Sequence, residues 1–426
     1  MATKEESTWL ATTALPTYPK LTSNLTIEVA IVGGGLAGLL SAYELAKAGK
    51  KVAVLEKERF FRKGSGFTTG FLTQSIDTDV VDQVPMFGDK GAKAIWESHG
   101  VAIDRIEEIV KAERIDCEFM RCTNYAYAND RSEARDLENE FNEMKRLGFP
   151  VRMEKADLGI YAKSAMAIKN QGKYHSVKFA AGLLGALERM GVELYEKTEV
   201  SEIKGEGPFV IKAGNYEVTV DWVAVATYHP FNNPKEVFLQ KGMYVTYILE
   251  LEVPKGRYLE GIYEDFDNPY HYFRVDAGKG ARGKDRIILG GEDHRVELKS
   301  KKIEQKSYAA LEEYAEELFG KQYPVVRRWS GYILEPIDGL AFIGEYEPHQ
   351  LLATAFSGNG MTYSAITAMI FRDIVTGKQN PYLELYKPGR TPSMTQLWRK
   401  GRDYTEELFR GAVANLFSKE GNNTKD

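Results

Sequence analysis

Three glycines within six residues carry the clearest chemistry in the chain. Gly33, Gly35 and Gly38 follow directly on TIEVAIV at 26–32, an apolar, β-branched run suited to a buried parallel strand. LLSAYELAKAGK then shows helical periodicity, with Gly49 as its stop. KVAVLEK at 51–57 reads as a second short strand, with Glu56 and Lys57 at its end. This is GxGxxG in the strand–turn–helix–strand context that it requires. Gly33 permits the tight turn, and Gly35 lets the backbone approach a pyrophosphate. Gly38 lets helix and strand pack closely, and Leu36 and Ala37 open the helix whose N-terminus faces the phosphates. Glu56 is placed to accept hydrogen bonds from ribose hydroxyls, and an acid there disfavours NADP. The pattern predicts dinucleotide binding and leaves FAD and NAD both open.

Two further stretches have the composition of ligand loops. GSGFTTGFLTQSIDTDV at 64–80 is dense in Gly, Thr and Ser, so it reads as a loop rich in backbone and hydroxyl donors; a solvent-exposed turn is the bland alternative. LLATAFSGNGMTYSAITAMIFRDIVTG at 351–377 again reads strand, Gly-rich turn, helix. The two cysteines, Cys117 and Cys122, exclude a disulfide framework and do not form CxxC. With six scattered His they offer no set of ligands, so no metal is expected. A reducing compartment fits.

The remaining elements must position these loops. The chain has 426 residues, 43% hydrophobic and 27% charged, which suits a soluble globular protein of two or three domains. Sixty-one acids against 56 bases give a formal charge of −5, so no nucleic-acid partner is expected. No apolar run approaches the roughly 18 residues of a transmembrane helix. MATKEESTWLATTALP carries acids and lacks a continuous apolar core, so a secretory signal is not expected. Cytoplasmic placement follows, with association to a membrane partner left open. Helical spacing appears over 89–116, 131–147, 175–190 and 302–319. Short β-rich segments at 242–253, 258–264, 270–275 and 286–291 predict an antiparallel sheet in a second domain.

In order along the chain, STWLATT, AIVGGGLAGLLSAYELAKAGKKVAVLEK, ILGGEDHRVE, EPIDGLAFIG and ATAFSGNGMTYSAITAMIFRDIVTG resemble the FAD-dependent D-amino-acid oxidase/glycine oxidase superfamily. The nearest likeness is to its gamma-glutamylputrescine oxidase-like and Rieske-fused branch. The resemblance implies an α/β fold: a Rossmann-like FAD-binding domain interleaved with an antiparallel-sheet substrate domain. It divides the chain into a leader at 1–25, a discontinuous FAD-binding domain at 26–116, 171–234 and 326–390, and a substrate domain at 117–170 and 235–325. A C-terminal helix and polar tail occupy 391–426. It places Thr68 and Thr69 near the flavin, the Val200 backbone at the adenine, and Gly358, Gly360, Met361 and Thr362 near the isoalloxazine. FSGNGMTYS lacks the cysteine that relatives use for covalent attachment, so noncovalent FAD is expected. Residues 391–426 hold neither Cys nor His, so they supply no Rieske ligands.

The resemblance also implies hydride transfer from a C–H beside an amine to flavin N5, with a small amine or amino acid as donor and oxygen or a separate redox protein as acceptor. Arg274, after PYHYF, resembles a substrate-side position and could bind a carboxylate bidentately; a structural salt bridge is the alternative. Tyr270, His271 and Tyr332 are candidates to orient an amine or line the pocket, against a plain sheet-packing role. His294 is better read as a structural hydrogen-bonding residue. Two rival functions stay open: an NAD(P)H-dependent flavin reductase, although only one dinucleotide fingerprint is clear, and a flavin-bound structural or regulatory protein without turnover.

Overall fold

The protein is described here by a computed structural model covering residues 3–155, 157–228 and 241–390. Two sheets organise it. The smaller runs Phe342–Glu347, Gln350–Thr354, Tyr216–Val225, Leu25–Val32, Val52–Leu55 and Glu193–Tyr195 in spatial order. From Gln350–Thr354 to Glu193–Tyr195 every pairing is parallel. Such strands are covered on both faces, which is why Val52–Leu55 and the second half of Leu25–Val32 are wholly apolar and buried. The helices Leu36–Lys47 and Gly360–Val375 pack together against one face. The hairpin Val200–Lys204/Phe209–Ala213 contributes Val200, Phe209 and Ile211 to the core on the other.

The larger sheet centres on Val325–Pro336, Lys241–Val253, Asp285–Arg295, His271–Asp276, Gly261–Asp265, Met120–Ala128 and Ser164–Lys173. Its pairings are antiparallel except where Gly261–Asp265 meets Met120–Ala128 and where Lys4–Glu5 joins Val325–Pro336. Side chains alternate between its faces. Leu249, Phe273 and Leu289 point to one face and pack with Leu311 and Tyr308 of the helix Lys301–Phe319. Ile248, Ile288 and Trp329 point to the other and join the core that contains Leu36, Leu39 and Leu40. The larger sheet therefore sits with one face on the nucleotide-binding unit.

The predicted helices and β-rich segments are present, with shifted edges. The 89–116 helix is the latter part of Val80–Ala112, whose opening carries Pro85 and breaks at Gly88 (φ 69°). That left-handed glycine interrupts the apolar period and hides the first turns from a periodicity reading. Val325–Pro336 pairs residue by residue with Lys241–Val253, although the sequence reading gave 326–390 to the FAD side. Only this long-range pairing assigns the strand, and no local pattern carries it. In the leader, the short helix Thr8–Thr12 buries Trp9. The expected helix at 391–426 and residues 229–240 lie outside the described residues.

Candidate active site

The fingerprint turn is built from backbone. Gly33 has φ +113°, and a Cβ there would lie 2.6 Å from the Ala226 carbonyl oxygen. A Cβ on Gly38 would lie 2.0 Å from the Gly33 carbonyl oxygen, so helix and turn touch only because Gly38 lacks a side chain. Gly35 differs: its nearest neighbour is Ser65 Oγ at 3.4 Å, and it caps the helix Leu36–Lys47 without any side-chain acceptor. Ser65 Oγ accepts from Leu36 N at 3.1 Å. Leu36 and Ala37 are buried in the first turn. Glu56 Oε2 accepts from Gly34 N at 2.7 Å and Oε1 from Glu58 N at 2.8 Å, which ties the end of Val52–Leu55 to the turn. Lys57 beside it is exposed. Val200 reaches the same corner through Thr198, whose N–H donates to the Glu56 carbonyl.

The loop with Thr68 and Thr69 is held from three sides. Trp9 Nε1 donates to the Thr68 carbonyl at 2.5 Å, and Trp329 Nε1 to the Phe67 carbonyl at 3.0 Å. The Arg274 guanidinium donates to the Thr69 and Gly70 carbonyls at 3.1 and 3.0 Å, and to Tyr174 O at 3.0 Å. Its Nε and second nitrogen meet Asp276 Oδ1 at 2.9 and 2.8 Å. Arg286 and Lys173 also engage Asp276, at 2.8 and 2.9 Å. Burial would raise the Asp276 pKa, but these three cations outweigh it and hold the carboxyl well below the usual range.

This alters the reading of the substrate side. Arg274 was expected to offer a fork to a carboxylate. It is 1% exposed, and all its nitrogens are committed to Asp276 and loop carbonyls. The alternative structural salt bridge describes its contacts. His271 lies on the helix-covered face, stacked on Tyr314 at 3.7 Å. Its ring nitrogens meet Asp265 and Glu292, each at 3.3 Å. Burial opposes its charge, yet these two acids prevail and raise its pKa to about 9. Tyr332 stands opposite Val245, whose side chain belongs to that same helix-covered core, and its hydroxyl accepts from Lys299 Nζ at 3.1 Å. His294 bonds Tyr247 Oη at 2.9 Å, in keeping with its structural reading.

Tyr270 keeps different company. It stacks on Tyr272 at 5.8 Å and donates to Asp293 Oδ2 at 3.1 Å. Tyr272 pairs its hydroxyl with Thr246 Oγ1 at 2.9 Å. Tyr270 is 38% exposed, yet desolvation pushes its hydroxyl pKa well up. The C-terminal turn reaches the same region through Asp77, whose Oδ2 accepts from Gly358 N at 2.7 Å and whose N–H donates to Asn359 Oδ1 at 3.2 Å. Asn359 precedes the helix Gly360–Val375 without a side-chain cap. Met361 Sδ accepts from Tyr174 Oη at 2.9 Å, and Thr362 Oγ1 bonds the buried His99 Nδ1 at 2.8 Å. Burial keeps His99 neutral by lowering its pKa to about 3.

Residues 28–374 match the family model "DAO: FAD dependent oxidoreductase". The chain belongs to this family. It is 29% identical over 418 residues to a Bacillus subtilis (strain 168) protein named "Putative Rieske 2Fe-2S iron-sulfur protein YhfW", covering 96% of this chain and 81% of that one. It is 24% identical over 376 residues to the gamma-glutamylputrescine oxidoreductase of Escherichia coli (strain K12), with 84% and 86% covered. The crystal structure of glycine oxidase from Geobacillus kaustophilus superposes with a TM-score of 0.74 at 21% identity, over 87% of this chain and 100% of that one.

As a DAO-family FAD oxidoreductase the chain needs room for FAD, and the residues fit it. At the Gly35 turn only Ser65 Oγ meets the helix start, through Leu36 N, and a Cβ on Gly35 would touch nothing nearer than that oxygen at 3.4 Å. Glu56 keeps acceptor capacity beyond its two backbone bonds. Gly360–Val375 offers a second helix start, uncapped by the Asn359 side chain. Several residues with these contacts escaped the sequence reading: Trp9, Asp276 and Trp329 behind the loop, Tyr272 and Asp293 beside Tyr270, and Asp77 at the C-terminal turn. Asp77 stood in the Gly/Thr/Ser-rich loop and Trp9 in the quoted leader, so only their partners were missing.

Proposed function

We propose that the protein oxidises the C–N bond of a small amine or amino acid, with hydride leaving the carbon beside nitrogen for flavin N5. Bound FAD would supply the two-electron chemistry. The chain's own contribution is placement. The Gly33–Gly38 turn and Glu56 hold the nucleotide end, and Gly358, Gly360, Met361 and Thr362 open the helix beside the reacting end. Thr68 and Thr69 are kept in register by Trp9 and Arg274. Tyr270, Tyr272 and Thr246 orient the donor from the facing sheet. Released imine would hydrolyse in water, and the two electrons would pass from bound FAD to oxygen or to a separate redox acceptor.

The observation that carries this reading is a pair of Gly-led helix starts on one unit, neither capped by its own N-cap side chain, together with a polar, desolvated wall on the facing sheet. FSGNGMTYS contains no cysteine, so the FAD is noncovalent in this proposal. A nicotinamide-driven reductase has less support, because one fingerprint is present and the described residues serve it. Anaerobic mixing with a panel of amines and amino acids, followed by flavin absorbance, tests the reading. Bleaching by a member of the panel is expected. Bleaching by NAD(P)H alone would move the protein to the reductase class. Readmission of air then separates oxidase from dehydrogenase.

A further inference from the structure

We propose that Asp293 receives a cationic nitrogen of the substrate, and that the protein selects an amine carrying no carboxylate toward this wall. This rests on the amine-oxidising reading and narrows it. The geometry begins with a bulge. Lys241–Val253 and Asp285–Arg295 pair regularly up to Tyr247↔Gly291, and the register then shifts before Val245↔His294. Glu292 and Asp293 are thus both set against Thr246, and Glu292 takes φ +57°, rare for a residue with a side chain. Bulges re-aim side chains. Here the result is that Asp293 meets Tyr270, on the side of the sheet that carries Tyr272 and Thr246.

The carboxylate is incompletely satisfied there. Oδ2 accepts from Tyr270 at 3.1 Å, while Oδ1 is buried without a hydrogen-bond partner. Burial raises the Asp293 pKa to about 7, Glu335 and Asp77 add to that, and the Thr246 and Tyr270 hydroxyls oppose it. Glu335 projects from Val325–Pro336 and Asp77 from the loop before Val80–Ala112, so the wall is acidic from three elements. The buried guanidiniums of the adjoining strands are committed elsewhere, Arg274 to Asp276 and loop carbonyls and Arg286 to Asp276. An orphan carboxylate oxygen beside two stacked tyrosine rings is the environment that an ammonium group satisfies: charge-assisted hydrogen bond to the acid, ring faces alongside. A substrate carboxylate at the same place would meet like charge.

The test uses the FAD-loaded protein and two inert, isosteric probes, tert-butylammonium and pivalate. Neither has a C–H beside nitrogen, so binding is read by flavin absorbance without turnover. Wild type is expected to bind the cation at least about tenfold more tightly than the anion, the size of one charge-assisted contact. Asp293→Asn, checked for unchanged flavin content, should erase that preference, and Tyr270→Phe should shift it by about threefold or less. Should Asp293→Asn fail to fold, the wild-type pH dependence serves instead. Cation affinity should fall as pH drops through about 7, while the probe itself stays charged. Tighter binding of pivalate, no binding of the cation, or a preference unaltered by both Asp293→Asn and pH would overturn the assignment. Failure of every amine and amino acid to bleach the flavin would instead sink the oxidase reading and leave this charge preference still measurable.

Discussion

The Gly33–Gly38 turn and the His271–Asp276 strand with Tyr270 before it are specified in opposite ways. At the turn the working atoms are backbone, and the specification is the absence of side chains. A Cβ would collide at Gly33 and Gly38 whatever the neighbours' rotamers. On the strand the working atoms are side-chain atoms, and their roles depend on partners far away in sequence. Arg274 reaches Thr69, Gly70 and Tyr174, and His271 reaches Tyr314 by stacking. A backbone requirement is written where it acts. A side-chain commitment is written half at the residue and half at its partner.

The largest expected effect divides the glycines of the turn between two causes. Gly38→Ala places a methyl against the Gly33 carbonyl, so the apoprotein itself should lose stability and FAD together. Gly35→Val meets little protein, and thermal unfolding of the apoprotein should change little. FAD content after gel filtration should nevertheless fall by more than tenfold, because the side chain fills the space needed by the pyrophosphate. Equal losses of apoprotein stability in both variants would contradict the division.

The second prediction breaks the strand's internal charge balance. Asp276 is 2% exposed and accepts from Arg274, Arg286 and Lys173 together. Asp276→Asn removes the carboxylate that three buried cations share, leaving Lys173 with Glu260 and Arg286 with Glu118, and denaturant unfolding should show a loss of about 3–5 kcal/mol. Its pKa is held low in the fold, so this stabilisation is present above the ordinary carboxylate range and is lost only as pH falls through the depressed folded value. Arg274→Lys should likewise act on stability and FAD retention, leaving discrimination between an acid and its matched amine unchanged. A selective rise in KM for the acid would restore Arg274 to substrate recognition.

His271 supplies a pH signature of the helix-covered face. Its pKa is raised to about 9, above the ordinary 6.5. The stabilisation is therefore complete below about 6.5 and disappears as pH rises through about 9. Its size is on the order of 3 kcal/mol. Urea unfolding across this interval should show declining stability in wild type, and His271→Phe should flatten that decline. An identical slope in the variant would remove His271 as its source.

Legibility follows the same division. The parallel strands, the glycine turn and the helices flanking them could be read from local patterns, because burial on both faces and close packing are enforced at the residues concerned. Tyr270 was legible as a polar residue on the substrate sheet. Asp293 was not, although GGED was singled out, because its direction depends on a register shift against Thr246 that no local period records. The Val325–Pro336 strand was misplaced for a related reason: its partner is Lys241–Val253, about eighty residues earlier.

Trp9 offers the smallest expected effect and the finest division between the two regions. Its indole N–H reaches Thr68 O, and its ring lies 5.2 and 5.0 Å from the Arg274 and Arg286 guanidinium carbons. The leader thus clamps the loop on the nucleotide side while lying over the charge cluster of the sheet. Trp9→Phe keeps an aromatic face for the arginines but removes the donor, leaving a carbonyl to be resatisfied at a cost of about 1 kcal/mol. If the leader acts through the loop, FAD dissociation should quicken by a few fold while the preference between tert-butylammonium and pivalate stays fixed. If it acts through the cations, the two observables should move in the reverse pattern, because Arg274 and Arg286 would shift beneath the wall that carries Tyr272. Measuring both on one preparation decides which region the leader serves.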